Sequence, residues 1–310
     1  MNRILLPAIS AILVTLAAPA FADPLEQGFN HPPDSARPQT WWHWMNGNIT
    51  KTGISLDLQA MKQIGLGGAT IVNADCGIPP GPVRFMSPQW QDDFKFAVQE
   101  ANRLGLNLCV ENCAGWSSSG GPWMTVTNAM QKITTSERQV TGPADFNDVL
   151  PQPPTNLGFY RDIAVLAFPA PSGKTVRISH FRAKAGYDDH AILSSAASTD
   201  PAGCIPLDRI RDLTRKLNHD GRLRWRVPRG KWIILRVGYT PTGVDNHPAP
   251  PEGTGLECDK LSKAGLDAHW KGFMQKALDD VGPLAGRGKT LNSSLIDSYE
   301  TGDQNWTADF

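Results

Sequence analysis

The chain has 310 residues, 40% of them hydrophobic, and its 30 basic and 30 acidic side chains cancel. That balance excludes the basic field of a nucleic-acid binder and a polybasic membrane patch. Five cysteines (Cys76, Cys109, Cys113, Cys204 and Cys258) are too few, and odd in number, for a disulfide scaffold.

The first residues read as an address. Arg3 supplies a positive charge, Ile4 to Ala18 are apolar, and Ala20-Phe21-Ala22 forms an A-x-A cleavage site before Asp23. A secretory signal peptide over 1–22 is expected, which places the mature chain in a periplasm or outside the cell. No later apolar run reaches the roughly eighteen residues of a membrane span, so no membrane partner is expected after cleavage.

Residues 23–40 are proline-rich and read as a leader with little structure. An aromatic strand follows over Gln39–Gly47. Thr50 or Thr52 can then cap a helix with Ile54, Leu58, Met61 and Ile64 at helical spacing, stopped by Gly65. GGATIVNAD reads as a short strand, and Ser87-Pro88 opens a helix carrying Trp90, Phe94, Ala97 and Ala101 on one face, ended by Gly105. LNLCVEN is the third strand. Strands alternating with helices, with polar residues gathered at each strand's C-terminal end, predict parallel βα units, and chemistry sits at those ends. No phosphate-binding glycine fingerprint follows the first strand, which argues against a nucleotide fold.

After Glu137 the texture changes to short β-like runs: DIAVLAF, KTVRISHF, RLRWRVP and KWIILRVGYT. Gly221 lies in a predicted hairpin turn. An antiparallel β module inserted over 141–232 is expected, with WIILRVGYTPTG returning to the first sheet. Helical spacing resumes from Ser262 through Leu266, Trp270, Phe273, Met274 and Leu278 to Gly282. A last strand, TLNSSLIDSYETG, ends in acidic residues. Thr307 reads as the cap of a further helix just before Phe310, so a partial chain is expected. The fold class is thus α/β: part of a (β/α)8 TIM-type barrel over 23–140 and 233–310, with the β module between.

The leading catalytic candidate is Glu300, delivered with Asp297 to the tip of the last strand beside Trp306. A carboxyl group in a tryptophan-walled pocket has its pKa raised and can protonate a leaving oxygen. The bland alternative is an ordinary charge at a helix start. Glu111 ends the third strand before Asn112 and the glycine- and serine-rich loop holding Trp116, and Asn73 and Asp75 end the second. Trp42, His43, Trp44 and Asn46 belong to the first strand and its end. These residues are the expected sugar contacts, because sugar C–H faces stack on aromatics while hydroxyls pair with amides and carboxylates. About half of the ten tryptophans would instead pack loops onto the scaffold, and His43 could equally be a satisfied buried histidine. Ser117 is in no nucleophile elbow. Asp75, Glu111, Asp297 or Glu257 could offer oxygens to Ca²⁺, but no EF-hand-like loop is present.

At these motifs the sequence resembles glycoside hydrolase family 106, the α-L-rhamnosidases. TWWHWMNGNITKTGISLDLQAMKQIGLGGATIVN, GIPPGPVRFMSPQW, NCAGWSSSGGPW, WRVPRGKWIILRVGYTPTG, GLECDKLS and IDSYETGDQNWT carry the likeness, in order, through nearly the whole mature chain. The resemblance implies a (β/α)8 catalytic barrel with β-sandwich accessories, calcium at the active site, and inverting hydrolysis of rhamnosides in plant polysaccharides. It places Glu300 of IDSYE where a catalytic carboxylate is expected. Members of the family are far longer, so the second catalytic carboxylate is expected beyond Phe310. Two other readings stay open: a carbohydrate-binding module that does not cleave, and an inert fragment with an unpaired sheet edge.

Overall fold

The computed structural model describes residues 23–171, 178, 180–187 and 204–308. The signal peptide, most of KTVRISHF and the helix that Thr307 would cap lie outside the described residues. The chain divides into two compact units, one up to Arg37 and one from Pro38 onward. In the first, the expected leader contains a short helix, α1 (Pro24–Asn30), whose Leu25 N–H donates to the Asp23 carboxylate at 3.0 Å.

In chain order the second unit runs β1 (Gln39–Met45), α2 (Lys51–Gln63), β2 (Gly68–Ala74), α3 (Pro88–Leu104), β3 (Asn107–Ala114), β4 (Gln131–Val149), β5 (Arg161–Pro169), α4 (Phe181–Lys184), β6 (Arg211–Asp212), β7 (Arg222–Pro241), α5 (Lys263–Gly272), α6 (Met274–Val281) and β8 (Leu291–Leu295). Thr50 Oγ1 accepts from Gly53 N at 3.0 Å to start α2, and Ser87 Oγ accepts from Trp90 N at 3.2 Å to start α3. These are the side-chain caps that satisfy otherwise orphaned N–H groups. Gly105 ends α3 in the left-handed conformation. Ile64, expected on the buried face of α2, is instead its exposed C-cap.

β1, β2, β3 and β8 form a parallel sheet in that order. Sequential order without a switch point distinguishes this sheet from a doubly wound nucleotide fold. Among the described residues it stays open, with β1 and β8 at its edges, so the structure shows a four-stranded parallel sheet and no closed barrel. Its helix-covered side is the larger core, where Trp42, Trp44, Trp90, Phe94 and Phe273 pack together. Trp90 stacks on Phe94 at 5.1 Å, and Trp44 meets both edge-on.

The antiparallel sheet has the order β4-β7-β5-β6 and its own apolar core, built on Leu150, Val165, Leu223, Trp225, Trp232 and Ile234. It starts at Gln131 rather than 141 and includes the run expected to return to the first sheet. Ile233 pairs with Phe168 and Leu235 with Leu166, so WIILRVGYT stays in the module. The physical reason is its period-two burial, continuous with that of RLRWRV along one long strand. Gly221 makes the expected tight turn, with its N–H donating to Asn218 O at 3.0 Å.

The helix expected from Ser262 is two helices. Phe273, at φ −128° and ψ −67°, breaks the period between α5 and α6. The buried face is therefore Gly265, His269 and Gly272, then Met274, Ala277 and Val281, whereas Leu266 and Trp270 are exposed. Among the described residues no helix is long and apolar enough to cross a membrane, and Cys76, Cys109, Cys113 and Cys258 are free thiols.

Candidate active site

The parallel strands deliver the sequence-predicted residues to one edge, and burial then sorts them. Along β1 alternate side chains face opposite sides of the sheet. Trp42 and Trp44 enter the core, Trp42 with Nε1 donating to Asp57 Oδ2 at 3.0 Å, so neither is a sugar platform. The exposed aromatics of this strand are Trp41 and His43, whose rings stack at 6.0 Å with planes 20° apart. The run TWWHW carried that alternation, but not which side the helices would cover.

Asn46 is likewise spent on the scaffold, whereas Asn73 is half spent, its buried Nδ2 being without a partner. Asn46 donates to Ile78 O at 2.6 Å, and Asn73 Oδ1 accepts from Trp90 Nε1 at 3.0 Å. Asp75 turns back on its own loop, accepting from Gly77 N at 3.4 Å. Trp306 sits against the antiparallel sheet, its ring 5.9 Å from Tyr239 and its backbone bridged to Gln131. Its ring contact lies on that sheet, and Glu300 is exposed rather than enclosed.

Two carboxyl groups come together where β3 and β8 pair, Glu111 and Asp297, and Glu300 follows Asp297 on the segment after β8. Glu111 is fully buried, and neither of its oxygens has a hydrogen-bond partner. It lies opposite Leu295 in the strand register, two residues before Asp297. Burial, and secondarily the charge of Asp297, push the Glu111 carboxyl up to about 8. A carboxylate cut off from water and donors is costly, so the group keeps its proton at neutral pH. Asn112 beside it is buried with Oδ1 unpartnered. Asp297 is half-buried and Glu300 exposed.

Glu300 is fixed by the loop after β3. The Ser298 hydroxyl reaches Glu300 Oε1 at 2.6 Å and the Trp116 carbonyl at 3.3 Å, while Ser118 donates to Ser298 O at 2.7 Å. All three serines of that loop are tethers. The Ser117 hydroxyl accepts from His247 N at 2.8 Å, and Ser119 donates to Glu257 Oε1. Gly115 allows the loop to pass His247, because a Cβ there would lie 2.5 Å from the His247 carbonyl carbon. Half-buried Trp116 follows it.

Sequence reasoning offered Glu257 only as one possible calcium ligand, set Tyr299 beside Glu300 without a role, and passed over Lys260. Glu257 is fully buried, paired with Lys260 at 2.8 Å, and its Oε1 also accepts from Cys258 N at 2.9 Å. The signal was the i,i+3 pair in GLECDK. With Glu257 paired and Asp75 in its own turn, Glu111 and Asp297 are left, against the six to eight oxygens Ca²⁺ takes. Among the described residues no three His, Cys, Asp or Glu side chains converge to hold a metal. The residues present do not fit a calcium site.

A family model described as α-L-rhamnosidase matches residues 30–176 and 171–310. A Formosa agariphila protein, provisionally named a β-glucuronidase, is 48% identical over 288 residues, covering 92% of this chain and 24% of its own length. The solved rhamnosidase of Novosphingobium sp. PP1Y superposes with a TM-score of 0.76 at 28% identity, over 91% of this chain and 40% of that one. The chain thus spans a quarter to two-fifths of these relatives.

Proposed function

This chain belongs to glycoside hydrolase family 106, the α-L-rhamnosidase family, and from that premise we propose that it forms part of the catalytic region of an exported α-L-rhamnosidase. In this reading the whole enzyme removes terminal α-L-rhamnosyl units from plant-type polysaccharides by inversion, and its parallel sheet is the first half of a (β/α)8 barrel. The observation that carries it is the buried, unpartnered Glu111 carboxyl beside Asp297 where the adjacent parallel strands β3 and β8 pair, with Glu300 on the segment that follows, at the strand ends where such folds place their chemistry.

Glu300 is the general acid. Ser298 fixes Oε1, leaving Oε2 to protonate the glycosidic oxygen once substrate has displaced water from around it. Glu111, neutral through burial, adds no negative charge beneath Asp297. The carboxylate that activates water, about 6.5–9.5 Å from the acid in an inverting enzyme, belongs to the part of the relatives that these residues do not cover.

The relative's name raises a second substrate, a glucuronoside. A uronate carboxylate calls for a free cation, yet Lys260 beside the site is already paired with Glu257 and the strand ends are acidic. Those features favour a neutral sugar.

The test is turnover of α-L-rhamnosides by the full-length enzyme. Glu300→Gln is expected to lower kcat by about 10²- to 10⁴-fold on an alkyl rhamnoside, the usual value of acid catalysis. The loss should shrink on an aryl rhamnoside, whose leaving group needs less protonation. Equal turnover by both proteins on the alkyl substrate would remove Glu300 from catalysis, and cleavage of an aryl β-glucuronide alone would replace the sugar.

A further inference from the structure

β8 ends at Leu295, so the segment carrying Glu300 has no strand partner and depends on side chains for its position. One short loop holds it on both sides. The Lys260 ammonium lies 4.3 Å from the centre of the Tyr299 ring, the residue before Glu300. On the far side, Gln304 Nε2 donates to Asp259 Oδ1.

The ammonium is itself fixed. Glu257 Oε1 pairs with it, and Ser119 and the Cys258 N–H anchor that same oxygen. Lys260 Nζ also lies 3.8 Å from Met130 Sδ, toward which the Tyr299 and Thr301 hydroxyls turn at 3.7 and 4.0 Å. Burying this ion pair costs desolvation of both partners, and an apolar pair of similar volume often stabilises as well or better. Stability alone therefore does not account for a charge pair here, whereas a cation seated over an aromatic face fixes a ring in place.

We propose that Glu257 and Lys260 are positioning residues for Glu300: Glu257 fixes the Lys260 ammonium, and the ammonium holds the Tyr299 ring. With Asp259 on Gln304, the 257–260 loop clamps the acid-bearing segment. The proposal rests on Glu300 as the acid.

The experiment uses the full-length enzyme on an alkyl α-L-rhamnoside, whose leaving group depends on protonation. Lys260→Met should lower kcat about 10- to 100-fold, as small displacements of a catalytic group do, with KM little changed. Lys260→Arg should restore most of the rate. Tyr299→Leu should match Lys260→Met, and the two together should be no worse than the worse single variant, because both break one contact. Glu257→Gln combined with Lys260→Met removes both charges and covers the case in which Lys260→Met alone misfolds; the same loss of kcat is expected.

An arm without substrate separates the clamp from the proposed activity. Chymotryptic cleavage after Tyr299 should quicken in the Glu257→Gln/Lys260→Met variant, which leaves no buried charge unpaired, while the melting temperature holds. If the wild type does not cleave rhamnosides, the activity reading fails and this arm still decides the clamp. Unchanged cleavage at Tyr299, unchanged kcat, or multiplicative losses in the double variant would each overturn it.

Discussion

A carboxyl group with neither water nor a hydrogen-bond donor beside it is more stable with its proton than without, and Glu111 is in that position. Its folded value of about 8 lies above the ordinary value of 4.5. Between those values the folded state binds the proton that the unfolded state has released, so stability falls as pH rises through that window. The full effect is on the order of 5 kcal/mol. His269 works in the opposite direction. Burial pushes it down to about 4 from 6.5, so the unfolded state takes up a proton first and stability is lost as pH falls through that range. The two windows overlap from pH 4.5 to 6.5, where the opposing effects cancel, so the melting temperature is expected to be highest across that overlap. Glu111→Gln should abolish the alkaline decline between about pH 6 and 9 and leave the acid decline intact. Melting curves at pH 4.5, 6 and 9 check this; an alkaline slope that survives in the variant would show that Glu111 does not carry the proton.

α3 and α5 show what element-level patterns reveal and what they leave out. The Ser87 cap, Pro88 at the first helical position, the apolar spacing and the Gly105 stop are all local, so α3 was readable from end to end. The break after α5 is not local. It depends on Trp123, which stacks on Phe273 at 6.0 Å and 6° from a loop far away in sequence. Spacing alone ran Leu266, Trp270 and Phe273 into one helix, because nothing nearby marks where the buried face changes phase. Two glycines make the difference measurable. A Cβ at Gly105 would meet only Lys62 Nζ at 3.7 Å, so Gly105→Ala carries the left-handed backbone cost of about 1–2 kcal/mol. A Cβ at Gly272 would fall 2.1 Å from Trp123 Cγ. Gly272→Ala should therefore cost about 3 kcal/mol or more through overpacking. Thermal unfolding of the two variants compares them, and equal losses would contradict the Trp123 contact.

At the scale of the whole molecule, two sheets with two separate apolar cores share one chain. The family model runs through both sheets, so the antiparallel module is part of what the family carries. Sequence pattern revealed the module and the acidic strand ends, because alternation and terminal polarity are local. It misjudged Trp42, Trp44 and Asn46, since burial depends on where α2 and α3 pack. It also missed the contact of Glu257, Lys260 and Tyr299, whose members meet across some forty residues of chain. Separate cores should open separately, because cooperative units follow contiguous packing. Leu223 is fully buried in the antiparallel core, and Leu223→Ala should cost about 2–5 kcal/mol there. Hydrogen exchange followed by mass spectrometry should then show faster exchange along β5 and β7, with β1, β2 and β3 keeping their wild-type protection. The 301–307 segment should loosen with the module, because Trp306 rests on Tyr239 of β7 and Asn305 Oδ1 accepts from Ile133 N of β4 at 2.7 Å. Uniform acceleration in both sheets would mean instead that the two cores unfold as one, and that the module supports the parallel sheet as well as the segment beside Glu300.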